Sequence, residues 1–545
     1  MHIVKPNMTL YNIDEENGYI PLGKINGVDF EKIPEGDVAT PDERPEYGNS
    51  WKSLYVDPRT LWAYTGPAWL MSLAYLDPGN LESDLQSGAY TNYSILWILF
   101  LSTVMGGVLQ VLSLRLGVVT GFNLAQTCRR EYSNVVSKIL WVMTELAIIG
   151  SDVQEVVGSA IAFQILFGWP LYVGCLVTAC DTFTFLGLHY FGMRKLEAFI
   201  VVLILTMTIT FFVNMGAVAP PAGEIFHGWF VPEIPDYAVT QAVGTLGAVI
   251  MPHNIYLHSA LVQSRKVDRN NKRKVAEANK YNTIDASTSL FVSFLINLAV
   301  VTAYAAAFFN KKCAEIPSGP YCSLPSSIPN ATCYSPSPEP GLCCGSIGLQ
   351  QTGVALSGTL GDNARFFWAV GLLAAGQAST MTGTFAGQYV MEGFLNLKVK
   401  VWVRLLITRS VALVPAMLVA YGASQADKVV ADTVDEWLNV LQSVQLPFAL
   451  LPVLHFTSSK KLMGEFSNGA AIKIVGWGLA LLVIFLNFYS IVSFITNPDQ
   501  AAPDATWFYA LVITIGVLYI SFIGYLIKGD VKQFAFWVGD KLARK

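Results

Sequence analysis

Residues 74–84 read "AYLDPGNLESD" and residues 243–262 read "VGTLGAVIMPHNIYLHSALV". Each interrupts a long apolar run, the first at Asp77-Pro78-Gly79-Asn80 and the second at Met251-Pro252-His253-Asn254. Both have the pattern x-Pro-x-Asn. Proline supplies no N–H and clashes with the preceding helical turn, so each apolar run is expected to be a helix broken near its centre at Pro78-Gly79 and at Pro252. Carbonyls next to such a break lose their helical partners. Inside a bilayer that backbone is tolerated only where it lines a protein-enclosed or watery cavity. Two broken spans at matching places in two halves of a chain point to an inverted-repeat transporter with its binding site at the membrane midplane.

The rest of the chain supports a membrane reading. Of its 545 residues 53% are hydrophobic and only 14% charged, against about 25% charged in soluble domains. Windows of about 20 apolar residues, the length that crosses a bilayer as helix, recur at roughly 61–89 (interrupted), 95–117, 139–166, 170–190, 197–217, 238–262, 286–309, 353–380, 404–422, 437–456, 471–494 and 507–527. These twelve windows predict an all-α polytopic membrane protein. The broken windows are the first and the sixth, so an odd number of helices per repeat turns the second half upside down. Loop 264–283 holds seven Lys or Arg, and Arg129, Arg130, Arg194, Lys195, Lys398, Lys400, Lys460 and Lys461 fall in loops of the same parity. Loops 218–236 and 496–506 carry none. The positive-inside rule then places the basic loops and both termini in the cytosol. Residues 1–55 are aperiodic and read as a disordered cytosolic tail. The transporter core is expected over 56–458 (repeats about 56–220 and 236–458), two further helices over 459–530, and a cytosolic tail over 531–545.

Five of the eight cysteines, Cys313, Cys322, Cys333, Cys343 and Cys344, lie in loop 310–349, which charge counting places outside. That loop also carries the glycosylation acceptor Asn330-Ala331-Thr332. Disulfides and a glycan belong on that side. A zinc site is the rival, but no His accompanies these cysteines. Five is odd, so one thiol is left free or pairs between chains.

The break residues suggest a ligand chemistry. Asp77 offers a carboxylate, Asn80 an amide oxygen and Met251 a thioether. Oxygen donors alone would suit sodium, magnesium or calcium. A thioether favours softer ions such as Fe²⁺, Mn²⁺, Co²⁺ and Cd²⁺. The third window supplies three acids, Glu145, Asp152 and Glu155, the last two spaced i, i+3 on one helix face. Intramembrane acids are costly and usually functional, and Arg409 in the ninth window is the expected counter-charge.

"DPGNLESDLQSGA" and "MPHNIYLHSALVQSR" resemble the two signature helices of the NRAMP family of proton-coupled divalent metal transporters. The resemblance continues through "SDVQEVVGSAIA", "GQASTMTGTFAGQYVMEGF" and "VLQSVQLPFALLPVLHFTS", roughly over residues 50–530, and is closest to the eukaryotic twelve-helix members. It implies a LeuT-type fold, a five-plus-five inverted repeat with helices 1 and 6 broken and two extra C-terminal helices. It also implies proton-driven metal movement toward the cytosol. By position it implies a metal shell of Asp77, Asn80, Met251 and the Ala248 carbonyl, with Asn439, Gln442 or Gln445 approaching from the tenth helix. It further implies a proton route through Asp77, Asp152, Glu155 and Arg409, with His253 just inside the break and Arg265 nearer the cytosol.

The expected function is therefore symport of Mn²⁺ or Fe²⁺, and also Cd²⁺ and Co²⁺, with H⁺. A sodium-coupled carrier of small solutes, a metal sensor and a channel are the alternatives. No enzyme signature, resident cofactor or nucleic-acid partner is expected. "GTLGDNARF" lacks phosphate-loop spacing and reads as packing or loop. Gly376, Ala378, Gly383 and Gly387 suit close helix contact. The expected setting is a monomer in the plasma membrane or an endosomal or vacuolar membrane.

Overall fold

A computed structural model of the chain describes residues 24–25, 28–29, 56–190, 193–316, 319, 321–325, 328, 333–335, 337–396, 401–425, 429–496 and 506–543. Most of the expected tail 1–55 and the acceptor Asn330 lie outside the described residues. The described chain is a bundle of helices with two small two-stranded hairpins.

The first apolar window is not one helix. After a short helix α1 (Pro58–Tyr64) come α2 (Pro67–Ser72), a 3-10 turn Leu73–Tyr75, and α3 (Pro78–Thr91). The next windows form α4 (Leu96–Thr120), a short α5 (Leu124–Glu131), α6 (Asn134–Phe167), α7 (Leu171–Tyr190) and α8 (Met193–Val218), followed by α9 (Ala222–Phe230). The sixth window divides into α10 (Val239–Val249) and α11 (Pro252–Leu261). Both proline breaks are thus at the positions expected from the sequence. Much of the basic loop 264–283 is helical, because α12 (Lys272–Phe308) begins early behind an Asn271 side-chain cap.

Beyond α12, a four-residue α13 (Lys311–Ala314) leads into an antiparallel hairpin of Cys322–Leu324 with Cys343–Gly345. Disulfides Cys313–Cys344 and Cys333–Cys343 staple it. Cys322 is the odd thiol, buried, with its sulfur 3.5 Å from the Gly345 carbonyl.

The eighth window, expected at 353–380, is divided differently. Helix α14 (Leu349–Thr359) ends at a turn, and α15 (Asp362–Leu395) is the long helix. The turn uses Gly361 at φ +89°, a backbone region open to glycine. The stretch "GTLGDNARF" contains that turn. The chain finishes with α16 (Val401–Gln425), α17 (Val429–Gln445), α18 (Pro447–Ser458), α19 (Lys460–Met463), α20 (Ala470–Thr496) and α21 (Thr506–Ala543).

Seven helices among the described residues are long and apolar enough to cross a bilayer by length and composition. The two broken spans fall short of that length because each is split at its proline. One continuous apolar core runs through α2–α8, α10–α12, α14, α15 and α18. Large apolar side chains of α20 and α21, among them Ile474, Phe485, Ile515 and Leu518, face outward, as lipid-facing helices require.

Candidate metal-transport site

Asp77 is the N-cap of α3, in extended backbone at φ −69°, ψ 164°. Its carboxylate accepts the N–H groups of Gly79 (3.2 Å) and Asn80 (3.3 Å). Capping by Asp follows from the orphan N–H groups of a helix start, and the positive end of the helix dipole favours its charge. The Asn80 side-chain amide also donates to Asp77. That donation leaves the Asn80 Oδ1 buried with no protein partner.

The two prolines each strip a carbonyl four residues back, and the two carbonyls meet different fates. Pro78 deprives Ala74, whose oxygen instead accepts the side-chain amide of Asn254 (3.4 Å). Tyr75 O is likewise taken by Asn297 (2.9 Å). Pro252 deprives Ala248. Here Ile250 N–H turns back to Leu246 O (3.1 Å), and among the described residues no group donates to Ala248 O. Met251 sits at the break as the N-cap of α11, and its side chain makes no cap hydrogen bond. The x-Pro-x-Asn motifs are therefore alike in sequence and unlike in use. Both side-chain oxygens are buried without a protein partner, but the Asn80 amide donates within its own break, to Asp77, whereas the Asn254 amide patches the opposite break at Ala74 O.

A polar chain fixes the first break against α6 and α17. Asn439 donates to Gly79 O (3.1 Å) and accepts from Gln154 (2.9 Å). Gln154 also donates to Asp435 O (3.1 Å) and accepts from Gln442 (2.9 Å). Gln442 Oε1 and both polar atoms of Gln445 are buried without partners. Gln154 is a residue that sequence reasoning missed. Its signal was present, an amide between Asp152 and Glu155 in an otherwise apolar helix. Close backbone approach supports this contact: a Cβ on Gly158 of α6 would stand 2.6 Å from Pro78 Cγ. None of Asp77, Asn80, Ala248, Met251, Asn439 and Gln442 is more than 2% exposed.

The third-window acids divide into two kinds. Asp152 and Glu155 are buried together against Gly383 of α15, where an added Cβ would lie 2.7 Å from Asp152 Oδ1 and 3.0 Å from Glu155 Oε1. Glu155 accepts from Ser379 (2.7 Å) and Ser151 (3.3 Å). Glu145 is only half-buried and accepts from Trp141 on its own helix (2.9 Å). The side chain of Arg409, in α16, lies outside the described residues. His253 is buried just past the second break, and its Nδ1 has no partner. Arg265 is placed against Glu197 of α8 (2.7 Å) and Thr65 O (2.8 Å).

The donors gathered at the two breaks are a carboxylate, an amide oxygen, a bare carbonyl and a thioether. Among the described residues there is no cluster of three or more His, Cys, Asp or Glu; the mixed set at the breaks is the candidate donor set. It carries one negative charge and one soft donor, which suits a dehydrated divalent transition metal better than an alkali or alkaline-earth ion.

The fold is that of a polytopic membrane protein with two broken helices, and the donors at the breaks form a candidate ion site. Residues 68–493 match the family model described as "Natural resistance-associated macrophage protein-like". The chain is 49% identical over 476 residues to natural resistance-associated macrophage protein 2 of Mus musculus, covering 86% of this chain and 81% of that one. It is 45% identical to metal transporter Nramp3 of Arabidopsis thaliana, covering 90% and 88% respectively. A solved structure of a mutant of the Eremococcus coleocola manganese transporter superposes with a TM-score of 0.71 at 29% identity, over 91% of this chain and 99% of that one. The chain belongs to the Nramp family, a family of integral membrane transporters and not of enzymes, and it has that family's LeuT-type fold.

Proposed function

We propose that this chain carries divalent transition-metal ions, Mn²⁺ and Fe²⁺ with Cd²⁺ and Co²⁺ as further cargo, toward the cytosol by alternating access and with proton symport. The observation that carries the reading is the pair of unlike breaks. Asn254 fills the carbonyl that Pro78 frees, while among the described residues nothing donates to the carbonyl that Pro252 frees, and Asp77, Asn80 with its unpartnered oxygen, and Met251 are all buried. Leaving a buried polar atom unpaired costs roughly 1–3 kcal/mol. A cation taken up between the two breaks would supply the missing partner to each of them.

In this reading Asp77 binds the dication through its charge, and Asn80 and Ala248 complete a hard oxygen set. Met251 discriminates against Ca²⁺ and Mg²⁺. Asp152 and Glu155 receive the proton displaced as metal arrives, on a route that continues past Arg409, with His253 and Arg265 toward the cytosol. The enclosed site favours a carrier over a channel, since the ligands reach solvent only when one side opens. Both termini and the basic loops lie in the cytosol, and the disulfide hairpin faces the other side. The test is uptake into proteoliposomes with an imposed pH gradient. Saturable Mn²⁺ uptake that quickens with inward proton flow supports the reading. Absent uptake, or a non-saturating current, contradicts it.

A further inference from the structure

Helix α14, which follows the disulfide hairpin, begins at a glycine N-cap with no side chain to satisfy its first N–H groups. A residue of another helix does so. Glu82 of α3, fully buried, accepts Leu349 N–H (2.7 Å) through Oε2 and Gln86 Nε2 (2.7 Å) through Oε1. Two turns beyond Glu82, the Tyr90 hydroxyl donates to Ile347 O (3.1 Å) and accepts from Ile347 N–H (2.9 Å). Glu82, Gln86 and Tyr90 stand four residues apart on one strip of α3, and the strip clamps residues 347–349. A carboxylate is buried only where hydrogen bonds compensate its desolvation. Here the partner is the positive end of a helix.

Helix α14 also reaches α6, through Gln350 to Gln164 (3.4 Å) and through Gly353 packed on Ile165, and it contacts α17. It therefore bridges the three helices that hold Asp77 and Asn80, Gln154, and Asn439 and Gln442. It is joined to α15 by the short turn at Leu360–Gly361. Helix α3 belongs to a broken span, whereas α6 and α15 are unbroken. A displacement of α3 away from α14 would break the Glu82 and Tyr90 hydrogen bonds.

We propose that Glu82 is a positioning residue that latches α14 over the metal site as a lid on the disulfide-bearing side. The inference rests on the alternating-access reading and extends it to the gate on that side. Glu82 touches no metal. It acts by holding the lid closed, with Tyr90 as the second fastening.

The reporter is Gly244→Cys. Gly244 is buried on α10 one turn before Ala248, and a Cβ there would meet nothing within 4 Å. Labelling by a membrane-impermeant thiol reagent is followed from the disulfide-bearing side, with the same protein lacking Gly244→Cys as background. Glu82→Gln is expected to raise the labelling rate about fivefold, the factor for one hydrogen bond of ~1 kcal/mol lost from the closed state, and Tyr90→Phe, which removes both bonds to Ile347, up to about thirtyfold. Both should lower the apparent KM for Mn²⁺ and the maximal rate together, and Glu82→Asp should restore part of each. A merely structural role would lower protein yield without this split. Parental labelling rates and unchanged KM in both variants would overturn the proposal. Labelling needs no transport, so a parent protein without Mn²⁺ uptake would refute the transport reading while the lid is still judged by labelling.

Discussion

Gly158→Ala is the most discriminating perturbation of the site's architecture. The substitution adds one methyl group on α6 facing the first break, where it would lie 2.6 Å from Pro78 Cγ against about 3.4 Å for ordinary contact. The Pro78 Cβ lies closer still, so the break must retreat by more than the difference, 3.4 − 2.6, about 0.8 Å. The proline ring cannot rotate away, because its φ is fixed. Overpacking of this kind costs about 1–3 kcal/mol. If metal binding demands the present position of Asp77 and Asn80, that cost appears in affinity as about 5- to 150-fold. Gly244→Ala is the matched control, since it adds the same methyl group near the second break into open space. The assay is Mn²⁺ titration calorimetry on both purified variants, with initial-rate uptake beside it. Gly158→Ala should weaken binding within that range and Gly244→Ala should leave it unchanged. Equal affinity in the two variants would refute the claim that α6 sets the position of the first break.

Three further outcomes follow from the site. Asp77→Ala or Asn80→Ala should abolish saturable Mn²⁺ uptake while the protein still elutes as a folded species; normal uptake by a well-expressed Asp77→Ala protein would sink the ligand assignment. Met251→Ala should keep Mn²⁺ transport but weaken Cd²⁺ binding and admit Ca²⁺, read as uptake ratios in mixed-ion flux; an unchanged Ca²⁺-to-Cd²⁺ ratio would make Met251 a packing residue. Asp152→Asn and Glu155→Gln should leave Mn²⁺ affinity nearly intact yet reduce metal-stimulated proton flux and flatten the pH dependence of uptake. Unmodified proton flux and pH profile in both would mark these acids as structural.

What could be read from the sequence depended on how local the signal was. Pro78 and Pro252 are visible because a proline inside an apolar window has one physical consequence, and both breaks fall where expected. Asp77 and Met251 are named by the same window. Gln154 has no such signal of its partners. Asp435 and Gln442 lie 281 and 288 residues away, and only the folded bundle joins them. The different amide partners of Asn80 and Asn254 were also hidden, since like motifs do not say which acceptor stands opposite, Asp77 for the first and Ala74 O for the second. The eighth window was placed across the Leu360–Gly361 turn because an average over about 20 residues spreads over the short polar stretch Gly361-Asp362-Asn363 and so merges the end of α14 with the start of α15. Glu82 lay within the quoted motif, but its partner Leu349 is 267 residues away.

The central claim is that one metal ion is held between the two breaks by Asp77, Asn80, the Ala248 carbonyl and Met251. X-ray absorption at the cadmium edge of Cd²⁺-loaded protein tests it most directly, because sulfur and oxygen neighbours scatter differently. A single sulfur beside several oxygens, with the sulfur contribution lost in Met251→Ala, is the predicted result. A shell of oxygen and nitrogen only, or a sulfur signal that survives in Met251→Ala, would contradict it.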